Sequence, residues 1–135
     1  MSKSDQPIHI LCIEDNRGVA RLFQRNLERA GYRVELACDG DEGLEKLEAH
    51  VYDVLIVDHV MPGQTGLDVI RSLVDADALP PTVMVTGAGD EETAVAAMKL
   101  GADDYLVKDV DGGYLRLLPS VIERVLHKRQ LMEER

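Results

Sequence analysis

The chain has 135 residues, 45% of them hydrophobic and 30% charged, with a formal net charge of −10. That length is one domain, able to bury roughly two-thirds of its unfolded surface without metals or disulfides, and the composition is that of a folded globule. The acidic balance argues against a phosphate-backbone or anionic-membrane partner; no apolar run approaches the ~18 residues of a membrane span, and Met1–Pro7 lacks a signal-peptide core, so a cytoplasmic protein is expected.

Met1–Pro7 reads as a polar, flexible terminus, and Ile8–Ile13 as the first apolar run of strand length. Asn16–Ala30 follows as a helix, with Val19, Leu22, Phe23, Leu27 and Ala30 on one arc and Gly31 as the stop. Arg17, Arg21, Arg25 and Arg29 recur every four residues along it, a basic stripe spanning about 120° beside the apolar face. The second run is Val34–Leu36. The second helix starts at Asp39, with Glu42 completing a capping box, and buries Leu44 and Leu47. Gly43 should weaken it by roughly 1 kcal/mol relative to Ala. Cys12 and Cys38 lie in apolar or strand-like stretches without CxxC or histidine spacing, so both are expected to be buried free thiols and not zinc ligands.

The third run, Val54–Val57, leads to a helix over about Leu67–Asp75 behind a Thr65/Asp68 box. Val83–Val85 precedes a helix over Asp90–Leu100 that Gly101 closes. Tyr105–Val107 is the last run, and a helix from near Gly113 carries Leu115, Leu118, Ile122, Val125 and Leu126, with Pro119 compatible only with its first turn. Short Val- and Ile-rich runs alternating with helices imply an α/β fold, a doubly wound (βα)5 five-stranded parallel sheet with right-handed crossovers and strands buried on both faces. Ligands of such folds bind outside the carboxyl ends of the strands.

Those ends carry Glu14 and Asp15 after the first run, Asp58 after the third, Thr86 after the fourth and Lys108 after the fifth. Taken singly, each has an ordinary explanation, since acids cap helices, threonine suits strands and lysine is usually solvated. Together on one edge they form a constellation. Packed carboxylates repel unless a cation sits among them, and an all-oxygen set with few protein donors suits Mg2+. A carboxylate beside Mg2+, with an ammonium and a hydroxyl aimed at the same point, is equipped to accept a phosphoryl group.

The run Asp53-Val-Leu-Ile-Val-Asp58-His-Val-Met61-Pro62-Gly-Gln-Thr-Gly66, with Glu14-Asp15-Asn16 upstream and Val83-Met-Val-Thr86-Gly87 and Tyr105-Leu-Val-Lys108 downstream, resembles the receiver domain of two-component response regulators. The resemblance covers essentially Ile8 to Leu126 and implies a flavodoxin-like sheet of strand order 2-1-3-4-5, like that of chemotaxis regulators. It implies that Asp58 is the phosphoacceptor, served by a phosphohistidine on a sensor histidine kinase or histidine phosphotransfer protein. It implies that Asp15, Asp58 and the backbone carbonyl of Val60 ligate Mg2+, with Glu14 acting through metal-bound water. Lys108 and Thr86 would contact phosphoryl oxygens, Tyr105 would change rotamer as Thr86 moves, and Met61-Pro62 and Gly66 would shape the site. Output would pass through the face of the fourth helix, fifth strand and fifth helix, to a downstream protein, a fused output domain or a homodimer formed on phosphorylation.

Two departures stand out. The family usually has proline after the lysine; here Asp109 follows, and a trans Lys108–Asp109 peptide is expected because a cis bond before a non-proline residue costs about 2.5–4 kcal/mol. Ile122–Arg135 keeps a helical pattern with no Gly or Pro to stop it, so residues 127–135 read as a helical extension of the 8–126 domain or as a linker to a further domain. Among rivals, a haloacid-dehalogenase-type hydrolase needs an acid two residues after the nucleophile, where Val60 stands, and a nucleotide-binding module needs a GxxxxGK[ST] loop that is missing. A pseudo-receiver, docking without phosphorylation, is the remaining alternative. His59 has no second histidine nearby and is expected to face solvent.

Overall fold

The computed structural model describes residues 6–133, so the expectation for the first residues falls largely outside it. Five strands, β1 (His9–Ile13), β2 (Arg33–Ala37), β3 (Val54–Asp58), β4 (Thr82–Gly87) and β5 (Asp104–Lys108), alternate with five helices. These are α1 (Arg17–Arg29), α2 (Gly40–Ala49), α3 (Gly66–Asp75), α4 (Glu91–Leu100) and α5 (Gly113–Glu133). All strand pairs are parallel, in the order β2-β1-β3-β4-β5. The chain therefore starts in the middle of the sheet, builds outward to β2, and returns across β1 to build the other half, which leaves a crevice at the carboxyl ends of β1 and β3.

Side chains alternate across each strand, so one apolar run feeds two cores. Ile10 and Cys12 pack with Phe23, Leu27, Leu118 and Ile122 on the α1/α5 side. Leu11 and Ile13 pack with Val57, Val69, Ile70 and Met84 on the α2/α3/α4 side. This is why β1 and β3 read as unbroken apolar runs. The edge strands depart from that expectation: Tyr105 and Val107 of β5 are 43% and 38% exposed, and β2 is buried at only two of its five positions.

Local signals set most helix ends. Asn16 Oδ1 accepts from the Val19 amide, and Thr65 and Asp68 form a reciprocal capping box. The second box closes differently from its expected form. Asp39 accepts from the Glu42 amide, but the Glu42 carboxylate reaches one residue further back, to the Cys38 amide at 2.6 Å. Gly43 is a packing requirement and not only a weakness, because a Cβ there would overlap the Ile13 side chain; Leu44 and Leu47 are half-buried and pack against the same core.

In α1 the buried set is Ala20, Phe23 and Leu27. Leu22 lies about 100° from Phe23 on the side away from the other two and is 48% exposed, while Ala30 falls outside the helix as its C-cap. Pro119 is the seventh residue of α5, past the first turn, and the helix runs through it; the neighbouring Leu118, Val121 and Ile122 are all buried. The helix is continuous across residues 126 and 127. Its last turns are tied to the body by Arg129, whose guanidinium donates twice to Asp103, at 2.8 and 3.0 Å. Among the described residues no helix is long and apolar enough to cross a membrane.

Candidate functional site

Glu14 follows β1 and its amide donates to the Ala37 carbonyl, which extends the β1–β2 ladder one step and turns the carboxylate inward, where it is 2% exposed. Its Oε2 accepts from the Asn16 amide at 3.1 Å and its Oε1 from Lys108 Nζ at 2.7 Å. Asp15 is exposed beside it. Asp58 ends β3, 5% exposed, and its Oδ2 lies 3.3 Å from the same Lys108 Nζ. Glu14, Asp15 and Asp58 each offer a carboxylate oxygen within 4.8 Å of the others, a cluster that could hold a metal ion. Thr86, next to the Val85 that pairs with Asp58, is 1% exposed, and its Oγ1 is buried without a hydrogen-bond partner.

Burial pushes both the Glu14 and Asp58 carboxyls above the ordinary carboxylate range, and Lys108 offsets this only in part. For Lys108 burial works against the charged form, yet the hydrogen bond to Glu14 and the charges of Asp58 and Glu14 outweigh it and hold the ammonium's pKa above its usual value. One cation thus serves two buried carboxylates, with a third acid close by. Such a site has negative charge in surplus and room for a further cation.

The Lys108–Asp109 peptide is trans, no cis bond occurring among the described residues. Asp109 takes a structural part instead: its carbonyl accepts from the Gly112 amide at 3.3 Å and its Oδ1 from the Tyr114 amide at 3.4 Å, which fixes the turn into α5 directly behind the lysine. Gly66 brings α3 against the acceptor strand, its position leaving no space for a Cβ beside the Asp58 carbonyl. Met61 is buried and Val60 is 69% exposed in the loop between.

The structure brings Glu14, Asp15, Asp58, Lys108 and Thr86 to one edge and leaves Tyr105 apart on the outer surface of β5. Two expectations are corrected. Cys12 is buried, but Cys38 is exposed, because it stands one residue past the end of β2 in the turn to α2. His59 does not face solvent freely: it is half-buried, and its Nδ1 is enclosed without a partner. The sharing of Lys108 between Glu14 and Asp58 was not visible in the sequence, where 94 residues separate the lysine from Glu14.

A family model described as the response regulator receiver domain matches residues 10–118. The alkaline phosphatase synthesis transcriptional regulatory protein PhoP of Bacillus subtilis is 37% identical over 99 residues, 73% of this chain and 41% of its own length. Response regulator ArlR of Staphylococcus aureus is 35% identical over 102 residues, 76% of this chain and 46% of its own. The chain thus spans less than half the length of these relatives. The chemotaxis response regulator CheY4 of Vibrio cholerae superposes with a TM-score of 0.79 at 28% identity, over 90% of this chain and 100% of that one. With five parallel strands in the receiver order and the family match running from β1 into α5, this chain belongs to the receiver domains of two-component response regulators, which are signalling switch domains.

Proposed function

We propose that this domain, over residues 8–126, takes a phosphoryl group onto Asp58 from a phosphohistidine of a sensor histidine kinase or histidine phosphotransfer protein in the cytoplasm. The observation that carries this reading is the shared lysine: Lys108 Nζ sits between Glu14 and Asp58 while the buried Thr86 Oγ1 beside them has no partner. A phosphoryl oxygen would give that hydroxyl the acceptor it lacks.

The carboxylate cluster suits Mg2+, since its donors are all oxygen; Asp15, Asp58 and the Val60 carbonyl would hold the ion and Glu14 would act through its water. When bound, the ion supplies neutralising charge for the carboxylates and for the transferred oxygens. In the transfer, an Asp58 oxygen forms the new bond to phosphorus as the phosphorus–nitrogen bond of the donor breaks. Lys108 leaves Asp58 to pair with a phosphoryl oxygen, and Thr86 donates to another. Tyr105 then turns inward behind Thr86, shifting the population of the α4–β5–α5 face toward the form that a downstream protein, a fused output domain or a second copy recognises. Residues 127–133 continue α5 toward such a partner. The domain assists its own phosphorylation and dephosphorylation and turns over no other substrate.

The test is to incubate the chain with Mg2+ and a small acyl phosphate or phosphoramidate and read intact mass. One phosphoryl group is expected on the wild type, none on Asp58→Asn, and little on Asp15→Asn. An Asp58→Asn chain labelled as fast as wild type would sink the assignment. The alternative of a phosphorylation-independent docking module has no observation in its favour, because every residue of the acceptor edge is present.

A further inference from the structure

A cleft of about 220 Å³ opens beside the acceptor edge, between the start of α1 and the turn from β2 into α2. Its floor is apolar, formed by Ala20, Leu36 and Ala37, and Arg17 and Arg21 line it on the α1 side. Glu14, Cys38 and Glu42 close the remaining sides. Both lining carboxylates are already engaged: Glu14 holds Lys108 and the Asn16 amide, and Glu42 holds the Cys38 amide. Neither guanidinium has an ion-pair partner among the described residues.

We infer that this cleft binds a small organic oxyanion, its head on Arg17 and Arg21 and a short apolar body on the floor. Side chains four residues apart on a helix stand about 5–6 Å from each other, so the two guanidiniums can address one head group. Arginine forks match carboxylate and phosphate geometry, and charge-assisted hydrogen bonds of this kind are among the stronger ones available. The apolar floor selects for a ligand with a carbon skeleton over a bare ion. The volume is below the roughly 300–1,000 Å³ of a drug-sized site, so the body is of single-ring size. A ligand seated there shares Glu14 with the acceptor edge, so that cleft occupancy and the state of Lys108 influence one another reciprocally.

The inference does not depend on phosphorylation, and its test reads binding directly. Cys38 lines the cleft while Cys12 is wholly buried, so alkylation by neutral iodoacetamide, followed by intact mass, reports cleft access alone. Benzoate and phenyl phosphate are the probes, and whichever acts identifies the head group. Saturable slowing of alkylation is expected. Arg17→Gln with Arg21→Gln should raise the half-saturating concentration about tenfold or more, because both charge-assisted contacts to the head group are lost. Arg25→Gln with Arg29→Gln, on the same helix but outside the cleft, should leave it unchanged. Backbone amide shifts at Arg17–Arg21 and Leu36–Cys38 provide a second reading that does not rely on the thiol. The inference is overturned if neither probe gives protection or shifts, if inorganic phosphate acts as well as either, or if the outer arginine pair matters as much as the inner one.

Discussion

Gly66→Ala tests how closely the acceptor depends on the helix packed behind it. Gly66 is the first residue of α3, and a Cβ built there would lie 2.7 Å from the Asp58 carbonyl oxygen and 2.9 Å from His59 Cα. Both neighbours are backbone and cannot rotate aside. The Gly66 amide also donates to the His59 carbonyl at 3.0 Å, so the two segments are tied together where they would have to separate. Overpacking of this kind costs about 1–3 kcal/mol, while alanine returns at most about 0.5–1 kcal/mol through its better helix propensity. The net loss is centred on about 1 kcal/mol, a fall in Tm of roughly 3–5 °C for a chain of this size. Because the atoms displaced belong to Asp58 and His59, phosphorylation by a small donor should slow several-fold. Gly63→Ala is the control: it has φ +78° and nothing within 4 Å, so it costs about 1 kcal/mol in backbone strain yet leaves the acceptor where it was. Thermal melts and mass-resolved labelling of the three chains decide the matter. A Gly66→Ala chain that melts within 1 °C of wild type, on the order of the smallest resolvable change, and labels at the wild-type rate would refute the packing argument.

Other expectations follow from the acceptor edge and from the sheet and helix around it. Burial raises the Asp58 pKa in the folded state, so its contribution to stability is full below the ordinary carboxylate range and is lost as pH rises through the raised value. In a chelator-treated sample, the Tm advantage of Asp58→Asn over wild type should therefore grow from about pH 4 to pH 7.5; an advantage that shrinks over that range contradicts the sign. The Tyr52 hydroxyl, buried and donating to Glu35, is pushed up to about 12, so wild type should lose stability relative to Tyr52→Phe as pH rises toward that value, read by alkaline melts. Val60 and Ala88, both exposed and two residues past Asp58 and Thr86, cannot hydrogen-bond a hydrolytic water, so Val60→Asn should lose its phosphoryl group faster than wild type; equal decay rates would discard the idea. The exposed α1 arginines should steer an acidic donor protein: charge reversal at Arg21 and Arg25 should slow transfer from the cognate kinase strongly at low salt and weakly at high salt, and a salt-independent loss would mean the stripe supports the fold instead.

Much of this molecule is written in short-range patterns that a reader of the sequence can use directly. The five apolar runs, the caps at Asn16 and Thr65 and the stops at Gly31 and Gly101 are local devices, and each helix and strand formed within a residue or two of where they point. The acceptor-edge residues were legible for a related reason. A parallel α/β chain must return every strand in the same direction, so the residues that follow the runs are carried to one edge whatever the details of packing.

Contacts between elements distant in the chain were decided only by the tertiary structure. Whether Gly43 is a defect or a necessity depends on Ile13, thirty residues earlier, pressing against it. Leu22 satisfied a loose apolar arc, but the narrow contact of α1 with the sheet had room for Ala20 instead. Cys38 and His59 could not be assigned from composition, since a shift of one residue past a strand end exchanges core for surface. The site itself shows the division most sharply. Sequence order brought Glu14, Asp58 and Lys108 to one edge, but that the ammonium lies nearer Glu14, 2.7 Å against 3.3 Å from Asp58, depends on packing between segments far apart in the chain, which buries both acids around one cation.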